Sequence, residues 1–223
     1  MKSNRLAYLL ITPLLIAMVA LILFPIAKVI WMSFHDYYLT RPGSHPFVGI
    51  ENYKNLFAAY EFNNSVKVTL IYIIFTVPIR FLLALLIALL FRRPFRGQAI
   101  ARSMLVVPWA LPVVIAGLVW IWLFNYDYGF INSSLRILNL INSPLPFLSD
   151  MNMALPAVML VNIWKGTPFI AFMLLAGLQS ISYDLYEASE IDGASKFQQF
   201  IYITIPLLKP VSSFAFLLLV IWT

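Results

Sequence analysis

Four acidic residues crowd into one short polar stretch of an otherwise apolar chain: Asp184, Glu187, Glu190 and Asp192. Carboxylates this close together could hold a metal ion or work as a general acid and base. Three of them fall on one edge of a predicted short helix, and such an edge suits ion pairs with a basic partner better than catalysis. The pattern therefore predicts a protein contact and no metal site.

The sequence offers little to other kinds of chemistry. It has no cysteine, so disulfides, thiolate metal sites and cysteine nucleophiles are excluded. It lacks the G-x-x-x-x-G-K-[ST] phosphate loop, so the chain is not itself an ATPase, and it lacks H-E-x-x-H and G-x-S-x-G. We predict a protein that is not an enzyme and has no catalytic residues.

Composition points to a membrane protein. Hydrophobic residues make up 62% of the chain and charged residues 11%, and the mean hydropathy is +0.88. Soluble domains average about 45–50% apolar and 25% charged residues. The formal net charge of +6 does not indicate nucleic-acid binding, because the basic residues lie at the ends of apolar spans and form no aromatic–basic patch.

Two basic residues, Arg80 and Lys165, nevertheless lie near the middle of apolar spans. A charge at mid-membrane costs about 2.5–3.5 kcal/mol on insertion scales, so it normally faces a cavity or a partner. Arg80 shares a helical stripe with Thr69, Ile73 and Thr76, which is too polar to face lipid. The candidate solute pathway comprises Arg80, Trp120, Asn162, Trp164, Lys165 and Thr167. The alternative is structural, because Trp and Lys also anchor helices at interfaces and Asn or Thr ties helices together.

The apolar spans predict an all-α integral membrane protein with a single domain over residues 1–223. It has four complete transmembrane helices and the start of a fifth, at about 7–34, 65–91, 103–124, 153–178 and 207–223. Each of the first four exceeds the roughly 20 residues that cross the hydrocarbon core. Pro108 with Pro112, and Gly166 with Pro168, are expected to interrupt the third and fourth helices near mid-depth. The fifth span is short, so we expect the natural sequence to continue past Thr223.

The distribution of Lys and Arg predicts the orientation of the chain. Lys2 and Arg5 precede the first span, and four arginines cluster in the connection between the second and third spans, at positions 92, 93, 96 and 102. The loop at 125–152 has only Arg136. We therefore expect the N-terminus in the cytoplasm, and alternation of the spans places the polar stretch at 182–206 there too.

That polar stretch predicts a helix–turn–helix. Gly193 is expected to end the first helix, because the residue past a helix C-terminus usually needs a left-handed backbone. Ser195 and Gln198 form a capping box that starts the second helix, and Pro206 is expected to end it. The predicted apolar underside, which would hold this hairpin on the membrane helices, consists of Phe197, Phe200 and Ile201.

The same stretch resembles the EAA loop of the permease subunits of ABC importers. The pattern of that loop is Glu-Ala-Ala, three residues, Gly, nine residues, then Ile-x-Leu-Pro. The matching positions are Glu187, Ala188, Ser189, Gly193, Ile203, Thr204, Ile205 and Pro206. Ser189 and Ile205 depart from the pattern. The resemblance implies that the loop seats in a cleft of a cytoplasmic ATPase subunit, with Glu187 and Asp192 as charged contacts and Gly193 as the turn.

Further phrases, spread over nearly the whole chain, look like those of carbohydrate permeases of the maltose-transporter kind. They are Phe47–Phe57, Phe95–Gly97, Arg102–Pro108, Trp120–Phe124, Gly129–Asn132, Ile163–Trp164 and Pro168–Phe169. By this resemblance the solute is an oligosaccharide, a disaccharide or a polyol derivative. A sugar needs hydrogen-bond partners for its hydroxyls and an aromatic platform for its C–H face, and the candidate pathway residues include both.

The resemblance also implies a helical bundle of the type I importer kind and an assembly around it. The expected partners are a second homologous permease, two ATP-binding subunits, an extracytoplasmic solute-binding protein and the lipid bilayer of a bacterial or archaeal cell (inner) membrane, without nucleic acid. No cofactor is expected in this chain, because ATP and Mg would be used by the ATPase subunits.

Two other classes remain open on the sequence. A secondary transporter or channel subunit driven by an ion gradient would need intramembrane carboxylates, and no Asp or Glu lies within the four complete spans. A subunit with only an assembly or receptor role would not be required for solute flux.

Overall fold

The computed structural model describes residues 2–40 and 43–223, with side chains from Tyr8 onwards, and these residues form an all-helical structure without β-strands. The predicted all-α class is confirmed. The chain forms two compact units, residues 1–68 and 69–223.

Eleven α-helices make up the described parts of the chain. In chain order they are α1 (Lys2–Met18), α2 (Phe24–Ser33), α3 (Glu51–Ala58), α4 (Tyr60–Arg92), α5 (Gln98–Ala110), α6 (Val113–Leu123), α7 (Phe130–Ile137), α8 (Met151–Gln179), α9 (Asp184–Ile191), α10 (Lys196–Gln199) and α11 (Ile205–Trp222). Two five-residue π-helical segments, Val19–Leu23 and Phe200–Thr204, join α1 to α2 and α10 to α11.

In the first unit, helix α3 closes the end of a long apolar helix. That apolar helix is a candidate membrane span over Tyr8–Ser33. The last carbonyls of a helix lack intrahelical partners. In α3, Asn52 supplies the missing donors, because its side-chain amide donates to the backbone oxygens of Ser33 and His35, each at 2.9 Å. The Phe47–Phe57 phrase therefore has a structural role here.

In the second unit, α4, α8 and α11 pack around one core. Three alanines at their contacts have no exposed surface, Ala84 and Ala88 in α4 and Ala215 in α11. Small residues of this kind let membrane helices approach closely. The larger side chains that fill the same core include Leu174, Leu178 and Leu219.

The third apolar segment is broken. Helices α5 and α6 are separated by Leu111 and Pro112 and meet at 97°. Pro112 has no N–H to continue the backbone ladder of α5, and it becomes the N-cap of α6. The interruption expected near Pro112 is present, and it divides the span predicted over 103–124 into two helices, whereas Pro108 lies inside α5.

Helix α8, in contrast, runs through Gly166 and Pro168 without a break. The interruption predicted there is wrong. A proline in a long membrane helix frees few backbone groups, and neighbouring side chains can satisfy them.

The fifth apolar segment begins earlier than predicted. Helices α10 and α11, with the π-helical segment between them, form one stretch of 27 residues over Lys196–Trp222 that is long and apolar enough to cross a membrane. Pro206 lies in the first turn of α11, so it does not end the helix as predicted. The N–H of Ile205 bonds to the oxygen of Phe200, five residues back, and this widened turn accommodates the proline ring.

Four helices of the described chain are long and apolar enough to span a membrane, and the bent α5–α6 pair would be a fifth span. The prediction of four complete spans and an incomplete fifth is corrected in one respect. The fifth span is long because it is continuous with the polar hairpin, whereas the third is the irregular one.

Candidate solute cavity and coupling hairpin

A cavity of about 610 Å³ lies among the helices of the second unit. Its wall comes from α4, from both halves of the broken α5–α6 span, from α8 and from the end of α11. Its aromatic and polar side chains are Tyr72, Arg80, Trp109, Trp120, Asn162, Lys165 and Trp222. The structure therefore brings four of the six predicted pathway residues, Arg80, Trp120, Asn162 and Lys165, to one site.

Arg80 lies deep in this wall, with 5% of its surface exposed. Its Nη1 donates to the side-chain oxygen of Asn162 at 2.8 Å and to the hydroxyl of Thr223 at 3.0 Å. Its Nε is buried and has no hydrogen-bond partner among the described residues. The guanidinium thus donates from one nitrogen to two neutral acceptors, one in α8 and one directly after α11.

Gly166 makes room for that guanidinium. A Cβ at position 166 would lie 1.8 Å from Nη2 of Arg80 and 2.4 Å from its Cζ. The arginine therefore rests directly on the backbone of α8, and any side chain at 166 would displace it.

Lys165 compensates for the break between α5 and α6. Its ammonium donates to the backbone oxygen of Leu111 at 2.7 Å and to those of Pro108 and Trp109 at 3.4 Å. These carbonyls belong to the end of α5, where the missing N–H of Pro112 leaves acceptors without their helical donor. A cation is also favoured at a helix C-terminus by the helix dipole. Lys165 therefore lies in the cavity wall but is fully engaged in holding the bend.

The tryptophans of the cavity sit on different helices. Trp109 ends α5 and stacks on Phe169, whereas Trp120 lies in α6 and packs against Phe124 with ring centroids 5.1 Å apart. Both lie in the span predicted over 103–124, which the bend divides between two helices. The indole N–H of Trp120 is buried without a partner among the described residues.

Two predicted pathway residues lie outside the cavity wall. Trp164 packs edge-to-face against Trp120, with centroids 5.4 Å apart, and so supports the wall from behind. Thr167 is buried, and its hydroxyl donates to the backbone oxygen of Ile163 at 2.5 Å. Neither residue lines the cavity, so their place in the solute pathway stays a prediction.

Sequence reasoning missed Tyr72 and Trp222. Tyr72 is two helical turns before Arg80, at the i, i+4, i+8 spacing of one face through Thr76, so the pattern could have identified it. Trp222 had no such signal, because its position depends on a helix that passes Pro206.

The polar stretch at 182–206 forms the predicted hairpin. Helix α9 ends at Ile191 with Asp192 as its C-cap, and Gly193 follows with φ of +80°, a left-handed conformation that favours glycine. Ser195 and Gln198 form the predicted capping box at the start of α10. The turn and both of its signals are confirmed.

Gln199 joins the two helices of the hairpin. It is buried, and its side-chain amide donates to the backbone oxygen of Tyr186 at 3.2 Å and to the hydroxyl of Ser189 at 2.9 Å. The hydroxyl of Tyr186 lies 2.9 Å from that of Thr204, and its ring lies under the guanidinium of Arg92, 4.2 Å from the centroid. Ser189, the departure from the EAA pattern, therefore contacts the interior of the hairpin.

The predicted apolar underside is partly wrong. Phe197 is 71% exposed and Ile201 is 36% exposed. Ile203 instead packs against the membrane core. The π-helical segment Phe200–Thr204 moves Ile201 off the regular α-helical stripe on which the prediction rested, whereas Phe197 lies before this segment, in the first turn of α10.

Glu190 is paired within the chain. Lys196 donates to its carboxylate, and this bond, assisted by Gln199, lowers the pKa of Glu190 below its ordinary value of 4.5. A lowered pKa means that the pair stabilises the hairpin above that value and that the contribution is lost as the pH falls through the lowered pKa. Glu187, Ala188 and Asp192 are exposed, and neither of these two carboxylates has an ion pair among the described residues.

Comparison with known proteins gives matches that include both the cavity and the hairpin. Residues 80–223 match the family described as "binding-protein-dependent transport system inner membrane component". The chain belongs to this family. The predicted recognition as an ABC importer permease is confirmed, and the matched region contains most of the cavity wall and the whole hairpin.

Relatives of the permease include transport proteins from distant organisms. It is 40% identical to the trehalose/maltose transport system permease protein of Thermococcus litoralis, over 97% of this chain and 72% of that protein. It is 39% identical to the sulfoquinovosyl glycerol transport system permease protein of Agrobacterium fabrum, over 93% of this chain and 67% of that protein. It also resembles a chain in the crystal structure of a bacterial ABC transporter involved in the import of the acidic polysaccharide alginate, with a TM-score of 0.79, 25% identity and coverage of 98% and 73%.

Proposed function

We propose that this permease forms half of the membrane pathway of an ATP-driven importer for a carbohydrate. The observation that carries the proposal is the cavity, in which tryptophan rings and hydrogen-bonding side chains line one space between membrane helices. The names of the relatives, which include sugar permeases, support the carbohydrate class.

The cavity wall has the two features that a sugar requires. The faces of Trp109, Trp120 and Trp222 suit the apolar C–H faces of pyranose rings, and the side chain of Asn162 suits hydroxyl groups. The unpartnered N–H of Trp120 adds a buried donor that a sugar hydroxyl would satisfy.

The hairpin is the proposed contact with an ATPase. Glu187 and Asp192 expose their carboxylates, Ala188 is exposed next to Glu187, and Gly193 sets the turn. We assign Ile203 and Pro206 to the junction with the fifth span, and Ser189 to the interior of the hairpin. The exposed Phe197 adds an apolar surface on the second helix of the hairpin, which an ATPase cleft would cover.

The proposed assembly contains a second homologous permease, two ATP-binding subunits and an extracytoplasmic solute-binding protein in a bacterial or archaeal cell membrane. ATP and Mg bind to the ATPase subunits and not to this chain. Closure of those subunits draws the two hairpins together and turns the permeases from inward-facing to outward-facing. The N-terminus and the hairpin then lie in the cytoplasm.

A cross-linking experiment tests the coupling. Because the chain has no cysteine, Ala188→Cys introduces a unique thiol on the exposed side of the hairpin. We expect the assembled importer to form a nucleotide-sensitive cross-link with an ATPase subunit that carries one cysteine in its cleft. Ser143→Cys, in the opposite connection at 125–150, is the matched control and should form none. Absence of the Ala188→Cys cross-link in the assembled complex would refute the coupling role.

A further inference from the structure

Arg80 is a buried cation without an opposite charge. Its two hydrogen-bond acceptors, Asn162 and Thr223, are neutral. The only ion pair among the described residues joins Lys196 to Glu190 in the hairpin. A charge kept out of water and without a counter-charge is costly in a membrane protein, and it usually marks a place where charge is supplied from outside.

The second cation of the cavity is in a different situation. Lys165 donates to three backbone oxygens at the end of α5, where the helix dipole is negative. Its charge is therefore compensated within the chain. The uncompensated positive charge of the cavity is that of Arg80.

The cavity wall contains no carboxylate that could neutralise Arg80, since no Asp or Glu is among the described residues that line it. Both hydrogen bonds of the guanidinium leave from Nη1, so the edge formed by Nε and Nη2 donates to no described residue. An oxyanion binds a guanidinium best through two N–H groups side by side. Nε is buried and Nη2 rests on the backbone at Gly166, so an oxyanion reaches this edge when neighbouring cavity side chains move aside.

From this geometry we propose that the cavity selects carbohydrates that carry an oxyanion, such as a carboxylate or a sulfate, and that Arg80 is the residue that binds it. The proposal rests on the carbohydrate function proposed above and narrows its solute class. The rings of the cavity tryptophans hold the sugar, and Arg80 contributes the charge selectivity. A competing explanation is an acidic side chain of the second permease that pairs with Arg80 in the assembly.

Equilibrium binding to the complete importer in lipid nanodiscs, without the solute-binding protein, separates these explanations. The probes are glucose, glucuronate and glucose 6-sulfate, together with cellobiose and cellobiouronate, measured by calorimetry. We expect each charged sugar to bind at least roughly tenfold more tightly than its neutral counterpart, because a charge-assisted hydrogen bond is about twice as strong as a neutral one. The carboxylate and sulfate probes show which oxyanion fits better.

Two substitutions test Arg80 itself. Asn162→Asp is nearly isosteric and places a carboxylate on the atom that Arg80 already contacts at 2.8 Å, so it should abolish the preference for charged sugars. Arg80→Lys keeps the charge but loses the two-nitrogen edge, and it should retain only part of the preference. Arg136→Gln, an exposed arginine in α7, is the control for net charge and should leave the preference unchanged. Gel filtration of each complex confirms assembly.

The outcomes are distinct. Equal or weaker binding of the charged sugars, with neutral sugars bound, overturns the oxyanion proposal and leaves the carbohydrate function in place, as a counter-charge from the second permease would predict. A preference that survives Asn162→Asp overturns the role of Arg80. If none of the five probes binds, the carbohydrate function fails with it, whereas the cross-link at position 188 still reports on the coupling to an ATPase.

Discussion

At the scale of single residues, the cavity depends on side chains that are matched in size and charge. Gly166 leaves room for the guanidinium of Arg80, Asn162 accepts one of its hydrogen bonds, and Lys165 stabilises the neighbouring bend. Little more than one turn of α8, residues 162–166, thus fixes one cation from α4 and one irregular span.

Gly166→Ala should damage the cavity. The new Cβ would lie 1.8 Å from Nη2 of Arg80, so the arginine must leave its acceptors Asn162 and Thr223. Overpacking of this kind costs about 1–3 kcal/mol. We expect a lower thermal unfolding midpoint and a marked loss of solute uptake, measured on the purified complex and in cells.

Gly117→Ala is the control for that substitution, because Gly117 also lines the cavity but its Cβ would meet no atom within 4 Å. It should leave the unfolding midpoint and uptake close to those of the parent. Equal effects of the two substitutions would contradict the role of Gly166.

The sequence predicts charged cavity residues better than neutral ones. Arg80 and Lys165 stand out because a charge inside an apolar span needs a reason. Thr167 and Trp164 are polar or amphipathic but are satisfied within their own surroundings, by a backbone carbonyl and by Trp120. Residue type alone does not distinguish such a side chain from one that faces a cavity.

At the scale of elements, the hairpin relies on one backbone conformation. Gly193 has φ of +80°, and a Cβ there would meet no atom within 4 Å. The constraint at this position is therefore conformational and not steric, so the tolerance of a substitution should follow its ability to adopt a left-handed backbone.

Gly193→Val should abolish transport while the protein remains in the membrane. A left-handed backbone costs roughly 1–2 kcal/mol for an ordinary L-residue and is especially unfavourable for a β-branched one. Gly193→Asn is the matched variant, because asparagine tolerates this conformation, and it should keep most of the activity. Uptake normalised to the amount of membrane protein tests both, and normal uptake by the valine variant would refute the assigned turn.

The local signals of the hairpin were readable from the sequence, and its junction with the membrane was not. Gly193 and the Ser195–Gln198 box act through neighbouring backbone groups, so their effect is determined within a few residues. Pro206 was expected to end a helix, but a π-helical turn before it removed the conflict. Whether such a turn forms depends on packing by distant helices, which short-range patterns do not encode.

At the scale of the whole molecule, the charge distribution follows the proposed orientation. The basic connection between α4 and α5 lies at the same end of the second unit as the hairpin, because Arg92 stacks on Tyr186. The connection between α6 and α8 has only one basic residue, Arg136. By the positive-inside rule this asymmetry supports the proposed cytoplasmic location of the connection between α4 and α5.

Thiol labelling in intact cells tests this orientation. Arg96→Cys should react with a membrane-impermeant maleimide only after permeabilisation, whereas Ser143→Cys should react at once, since both positions are exposed but at opposite ends of the spans. The parent chain, which has no cysteine, gives the background. The reverse labelling pattern would invert the proposed topology.

The helix that begins at Lys196 in the hairpin reaches Trp222 in the cavity wall without interruption, a length of about 40 Å at 1.5 Å per residue. This helix therefore connects the proposed ATPase contact at one end with the proposed solute cavity at the other. Because a helix hardly compresses along its axis, an axial displacement of the hairpin would displace the cavity end of the helix by nearly the same distance. There Thr223 holds Arg80 at 3.0 Å, and a shift of roughly 1 Å exceeds the reach of that hydrogen bond. Movement of the hairpin by an ATPase would then change how Arg80 is held in the cavity, and with it the affinity of the cavity for its solute.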